Sequence, residues 1–148
     1  MDRSRTPAWV AAIGTLLATL AGNAVAEPRT DYLLHCRGCH LADGTGTPPG
    51  IPALRDRVGY YLQIPGGRDY LTQVPGASNA PLSDERLTGV LNWVIGEFAG
   101  GSAPSDWAPL SATEVGQGRR VAPADIDAWR RALWQEIETQ FPDAARAY

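Results

Sequence analysis

The stretch Cys36-Arg37-Gly38-Cys39-His40 contains both cysteines of this 148-residue chain and one of its two histidines. In a helix, residues three or four positions apart lie on the same face. The two thiols and the imidazole are therefore expected to point in one direction. A thiol can form a covalent bond, and a neutral imidazole nitrogen can bind a metal. This stretch therefore predicts one site that can bind a group covalently, ligate a metal, or do both.

The C-x-x-C-H spacing is typical of covalent attachment of a c-type haem. Cys36 and Cys39 would both reach the vinyl edge of the porphyrin, and His40 would ligate the iron. Two other interpretations use the same residues. A dithiol or disulfide pair would suit an oxidising compartment, and a zinc site would need four ligands, for which only His35 remains. We expect one haem c held by Cys36 and Cys39, with His40 as the iron ligand.

Residues 1–26 have the pattern of a secretory signal peptide, with two arginines, an apolar stretch and small residues up to Ala26. The apolar stretch, residues 8–21, is shorter than the roughly 20 residues that span a bilayer. We expect cleavage after Ala26 and export, most simply to a bacterial periplasm. An uncleaved segment would instead be an N-terminal membrane anchor.

The 13 cationic residues are all arginine, and 16 acidic residues give a formal net charge of −3. Nucleic-acid binding depends on clusters of cationic residues that neutralise phosphates. An acidic chain without a basic run is not expected to bind nucleic acid.

From a first helix that leads into Cys36 to an amphipathic helix that closes the domain, the chain resembles the small single-haem c-type cytochromes, with a class I-like cytochrome c fold. The resemblance covers about Thr30 to Ala99 and rests on the C-x-x-C-H motif, a Gly/Pro-rich loop (41–52) and that helix. It implies an all-α fold around one covalent haem, and electron transfer as the function. In this family a proline carbonyl of the loop accepts a hydrogen bond from the histidine that ligates the iron. The candidates here are Pro48, Pro49 and Pro52.

Four elements are predicted in this region. Thr30 is the expected N-cap of the first helix, Val58–Ile64 is expected to pack on the macrocycle, and a short helix covers Arg68–Val74. Ser83 caps the closing helix, whose apolar stripe is Leu87, Val90, Leu91, Val94 and Phe98. The resemblance implies that the closing helix crosses the first, with Leu91 or Trp93 against the Tyr32–Leu33 turn.

Residues 102–148 form an extension beyond the expected haem domain (27–101). Ser111 and Glu114 have the spacing of a capping box, and Pro123 suits the first turn of a longer helix. We expect a helical hairpin packed on the haem domain. Alternatively, three tryptophans of the extension would form a docking surface for a partner: Trp107, Trp129 and Trp134.

The only methionine is Met1, and the chain has no lysine. Many relatives bind the second face of the iron with a methionine, and the corresponding residues are 73–81. The alternatives are an open five-coordinate iron, a weak ligand such as Asn79, Gln73 or a tyrosine, and the α-amine of Glu27 after cleavage. Because methionine raises the potential, we expect a lower potential than in a His/Met cytochrome.

The predicted function is transfer of single electrons to or from a periplasmic oxidoreductase, without catalysis by the chain itself. One alternative is an open iron site in a small-ligand sensor or weak peroxidase, where Arg55, Arg57 or Arg68 would stabilise an anionic ligand. Another is a haem subunit of a larger redox complex.

Overall fold

The computed structural model describes residues 27–47 and 50–146. In chain order the helices are α1 (Pro28–His35), α2 (Arg37–His40), a 3₁₀ helix (Val58–Gln63), α3 (Gly67–Gln73), α4 (Pro75–Ser78), α5 (Asp84–Phe98), a 3₁₀ turn (Gly100–Ser102), α6 (Ala112–Gly118), α7 (Ile126–Gln140) and a final 3₁₀ helix (Pro142–Arg146). Within these ranges there is no strand, only an isolated bridge between Thr47 and Ile51. The predicted all-α fold is confirmed, and the predicted signal peptide lies outside the described residues.

The first helix begins earlier than predicted. Glu27 is the N-cap and Pro28 occupies the first turn, so the assignment of Thr30 as the cap was wrong. Proline suits this position because its φ is already helical and its missing N–H would have no helical partner. The amide of Thr30 donates to the carbonyl of Glu27, 2.8 Å away, and thus belongs to the first helical turn.

Helix α5 crosses α1, as expected. The Ser83 side chain caps α5 by accepting from the backbone N–H of Arg86. The ring of Tyr32 lies 5.1 Å from that of Trp93 and 5.3 Å from that of Phe98. Nearer the start of α5, Arg86 donates to both carboxylate oxygens of Asp31, a buried residue. The contact with Trp93 is the one predicted for the crossing.

Two glycines bring α3 against the preceding 3₁₀ helix. Gly66 has a left-handed φ of 77°, and a Cβ on Gly67 would lie 1.9 Å from the carbonyl oxygen of Tyr61. The predicted helix at Arg68–Val74 is therefore present, shifted by one residue. The rings of Tyr61 and Tyr70 stack across this junction, with centroids 4.9 Å apart.

The extension contains the two predicted helices, one of them with a corrected start. Ser111 and Glu114 form the capping box of α6. Helix α7 begins at Ile126, because the side chain of Asp125 caps it by accepting from the amide of Ala128. Pro123 therefore precedes the helix instead of lying in its first turn.

Both helices pack on the rest of the molecule. Leu110 and Val115 at α6, and Leu133 and Ile137 of α7, are buried in the common hydrophobic core. The tryptophans of the extension are partly buried against that core, which favours packing over a docking surface. Within the described ranges, no helix combines the length and the apolar character that crossing a bilayer requires.

A glycine substitution tests the close approach of α6 to α3. A Cβ on Gly118 would lie 1.9 Å from Oγ1 of Thr72. We expect Gly118→Ala to lower the free energy of unfolding by about 1–3 kcal/mol, as other overpacked sites do. An added Cβ on Gly96 of α5 meets nothing within 4 Å, so Gly96→Ala should change stability little or raise it by up to about 1 kcal/mol. Denaturant midpoints measure both, and equal midpoints would contradict the close approach.

Candidate functional site

The C-x-x-C-H motif lines a large cavity with a volume of about 1140 Å³. This exceeds the roughly 300–1,000 Å³ of most small-molecule pockets. Its walls come from α1 and α2, from residues 50–58, from α3 and α4, from α5 and from α7. Apolar side chains supply much of the surface, including Val58, Leu71, Val90 and Val94. The cavity therefore suits a large, mainly apolar group.

The motif residues occupy the junction of α1 and α2. Cys36 separates the two helices and is half-buried, Cys39 is exposed, and His40 ends α2. All three residues line the cavity. An added Cβ on Gly38 would meet nothing within 4 Å, so the protein leaves the space beside the motif open. The structure thus brings together the three residues predicted as the site.

The imidazole of His40 is oriented by Pro52. Nδ1 of His40 lies 3.2 Å from the carbonyl oxygen of Pro52. A carbonyl can only accept, so Nδ1 donates and Nε2 keeps the lone pair that a metal ligand needs. Burial lowers the pKa of His40, and the bond to Pro52 opposes this shift. The imidazole is therefore neutral near pH 7. Of the three candidate prolines Pro52 makes this bond, whereas Pro48 and Pro49 lie outside the described residues.

The chain that follows His40 is fixed by several hydrogen bonds. Leu41 has a left-handed φ of 61°, and its carbonyl accepts from the hydroxyl of Tyr32 at 2.6 Å. The hydroxyl of Thr47 donates to the carbonyl of Cys39 at 2.9 Å. Burial, with smaller contributions from nearby acidic groups, raises the pKa of Tyr32 to about 12, so this residue stays a donor. These contacts fix the turn that carries the chain from His40 towards Pro52.

Two observations disfavour a redox-active dithiol and a zinc site. Burial raises the pKa of Cys36 to about 11, with smaller effects of Asp31 and Cys39. Thiols that act in disulfide exchange usually have a lowered pKa, since the thiolate is the nucleophile. Zinc is disfavoured because the described residues contain no group of three or more His, Cys, Asp and Glu side chains placed to hold a metal.

Among the described residues, those that line the cavity wall between α3 and α5 offer no side chain that binds iron strongly. Four consecutive residues with small or apolar side chains line it between α3 and α5: Val74, Pro75, Gly76 and Ala77. Gln73 and Asn79, proposed as weak ligands, do not line the cavity, and neither does Glu27. Tyr61 and Tyr70 do line it, and burial raises the pKa of Tyr70, which keeps this phenol protonated.

Helix α7 forms a wall that the sequence analysis missed. Ile126, Arg130 and Trp134, spaced by four residues, line the cavity together with two neighbours on the helix. The i, i+4, i+8 spacing of these residues was the available signal for a shared helix face. The extension is therefore part of the site.

Two guanidinium groups meet the cavity near this wall. Arg57 is 3% exposed, and its guanidinium carbon lies 4.6 Å from the ring centroid of Trp134. Arg130 lies one turn before Trp134, donates to the carbonyl of Gly50 and pairs with Asp127. Its Nε is buried and has no hydrogen-bond partner among the described residues. A buried donor without a partner is costly, so a carboxylate in the cavity would suit this position.

Taken together, these residues fit a haem. They offer two thiols for covalent bonds, an oriented imidazole for iron, apolar walls for the macrocycle and cationic groups for its carboxylates. Of the arginines proposed to face an anionic ligand, Arg55 and Arg57 line the cavity. Arg68 instead pairs with Glu114 in the extension.

Comparison with known proteins supports the same interpretation of the site. No family model matches the chain. It is 28% identical over 142 residues to a cytochrome c-552 of Thermus thermophilus, and the match covers 80% of this chain and 96% of the relative. A second cytochrome c-552 of the same organism is 29% identical over 118 residues, covering 66% and 90%. These similarities support a relationship with the cytochromes c, whose members carry the covalently bound haem c that the motif predicts.

Proposed function

We propose that this chain is an exported single-haem c-type cytochrome that carries electrons for a periplasmic oxidoreductase. The observation that carries the proposal is the hydrogen bond from His40 to Pro52, on the same cavity as Cys36 and Cys39. It leaves Nε2 of a neutral imidazole available beside two thiols. Covalent haem would use all three groups at once, whereas a disulfide would leave the imidazole unused and a zinc site would need further ligands.

The bound haem would supply one-electron redox chemistry, and the chain would set its position and surroundings. Cys36 and Cys39 would attach it, His40 would hold the iron, and the apolar walls would exclude water. Low solvent access around the metal is a main influence on its potential.

Electron exchange would take place at the exposed edge of the motif. Cys39 is exposed, and Leu34 and Leu41, on either side of the motif, are 70% and 44% exposed. Apolar side chains at the surface beside a redox group suit a transient contact with a protein partner. The chain has a formal charge of −3, so long-range attraction would need a partner surface of complementary charge.

A second candidate function is the binding of small molecules at an open iron. The apolar wall at Val74–Ala77 and the absence of Gln73 and Asn79 from the described cavity lining favour this candidate. The same observations support a potential below that of a His/Met cytochrome of similar burial. The two functions differ in how fast a small ligand reaches the iron.

Haem attachment tests the main proposal. Produced with a haem-ligation apparatus, the exported protein should be coloured and should have the mass of the apoprotein plus one haem. Replacing both Cys36 and Cys39 by alanine should abolish covalent attachment, and His40→Ala should keep the mass but change the absorption spectrum. The control is Arg37→Ala, an exposed residue of the motif that does not line the cavity, which should change neither. Colourless wild-type protein of apoprotein mass would contradict the proposal.

The role of Arg130 predicts an effect on the reduction potential. Arg130→Gln removes a positive charge and a buried donor from the cavity, so the oxidised state becomes easier to form and the potential should fall. Arg29→Gln removes the same charge from an exposed residue that does not line the cavity and is more strongly screened by solvent. Protein-film voltammetry compares the two variants. Equal shifts would mean that Arg130 acts only through its distant charge.

Spectroscopy tests the state of the second iron face. We expect the oxidised holoprotein to lack the near-infrared sulfur-to-iron charge-transfer band, since no methionine follows Met1. Rapid binding of carbon monoxide by the reduced protein would favour an open site. No spectral change on adding the gas would favour a closed carrier.

A further inference from the structure

The side chain of Arg119, in the extension, donates hydrogen bonds to the backbone of the segment between α3 and α5. Its guanidinium donates to three carbonyls of that segment, those of Ser78, Ala80 and Leu82, at 3.2, 2.6 and 2.8 Å. It also pairs with Asp84, the first residue of α5, at 3.3 Å. The Arg119 side chain is 13% exposed. One arginine side chain thus makes hydrogen bonds to three backbone carbonyls of this segment.

The packing of α6 brings this arginine close to the segment. Gly118 lies against Thr72 of α3, and Gly116 lies against Asp84 of α5. An added Cβ would come within 1.9 Å of a Thr72 atom and within 2.3 Å of an Asp84 atom. Helix α6 therefore contacts the chain on both sides of residues 74–82, and Arg119 follows directly after it.

The same segment forms a wall of the haem cavity. Residues 74–77 line the cavity, whereas the carbonyls held by Arg119 belong to residues 78–82. Ser78 joins the two parts, because its amide donates to the carbonyl of Val74 at 2.9 Å. A change in the hold on Ser78 would therefore reach the cavity wall through one turn of helix.

We infer that Arg119 is a positioning residue that keeps the wall at Val74–Ala77 closed over the haem and limits access of small uncharged molecules to the iron. This inference rests on the proposed function, since it requires a bound haem. It gives the extension a role in the site besides the wall formed by α7. Local opening of such a segment depends on the few hydrogen bonds that hold it.

The test compares Arg119→Gln with Arg120→Gln in the holoprotein. Arg120 is a matched control because it pairs with the same Asp84 carboxylate at 2.9 Å, and its other bond goes to Gly116 of its own helix. Carbon monoxide association with the reduced protein is followed by flash photolysis, and amide hydrogen exchange is followed at residues 78–82. Arg119→Lys, which keeps the charge with fewer donors, is a third variant.

For Arg119→Gln we expect faster exchange at residues 78–82 and carbon monoxide association that is faster by about tenfold, which corresponds to the loss of one or two hydrogen bonds. Arg120→Gln should resemble the wild type, and Arg119→Lys should lie between them. If Arg119→Gln does not fold, the comparison of Arg119→Lys with Arg120→Gln decides.

Two outcomes would overturn the inference. In the first, exchange rises but ligand association is unchanged, so that Arg119 is only structural. In the second, the Arg119 and Arg120 variants behave alike, including the case in which no variant binds the gas. Failure of the proposed function itself is distinguishable, because the wild-type protein would then contain no haem to observe.

Discussion

The hydrogen bond between His40 Nδ1 and the Pro52 carbonyl fixes how the imidazole faces the cavity, and the chemistry proposed for the cavity depends on it. It joins residues twelve positions apart and depends on the chain reversing direction directly after the motif. The left-handed φ of Leu41 makes that reversal, and a donor from Tyr32 holds it in place. An imidazole held in this way presents Nε2 in a fixed direction, as a metal ligand requires. Together with this oriented imidazole, the two thiols of the motif form a set of groups that suits a covalent haem.

The parts of the fold that were predictable from sequence depend on local signals. Ser83 and Ser111 cap helices through bonds to residues three positions away, and short spacings of this kind are visible in the sequence. Errors arose where two capping signals compete within a few residues. Thr30 is preceded by Pro28, which already fits the first turn, and Pro123 is followed by Asp125, whose carboxylate is the stronger cap.

The missed parts of the site depend on contacts between distant residues. Arg57 and Trp134 are far apart in the chain, yet the guanidinium lies over the indole ring. This stacking helps to offset the cost of burying a cation. Neither residue has a local motif that indicates the other. The sequence could place Cys36, Cys39 and His40 in one site because they are neighbours in the chain, whereas the walls of their cavity are assembled by tertiary packing.

The structure gives the extension a part in the cavity that the sequence did not predict. A capping box and a proline near the start of a helix predict helices but not what those helices cover. In the structure, α7 supplies Arg130 and Trp134 to the cavity, and α6 places Arg119 against the carbonyls that precede α5. A chain that lacks methionine in residues 73–81 has no sulfur–iron bond to hold that segment near the haem. Hydrogen bonds from outside the segment can hold it instead, and the described contacts of Arg119 have that geometry.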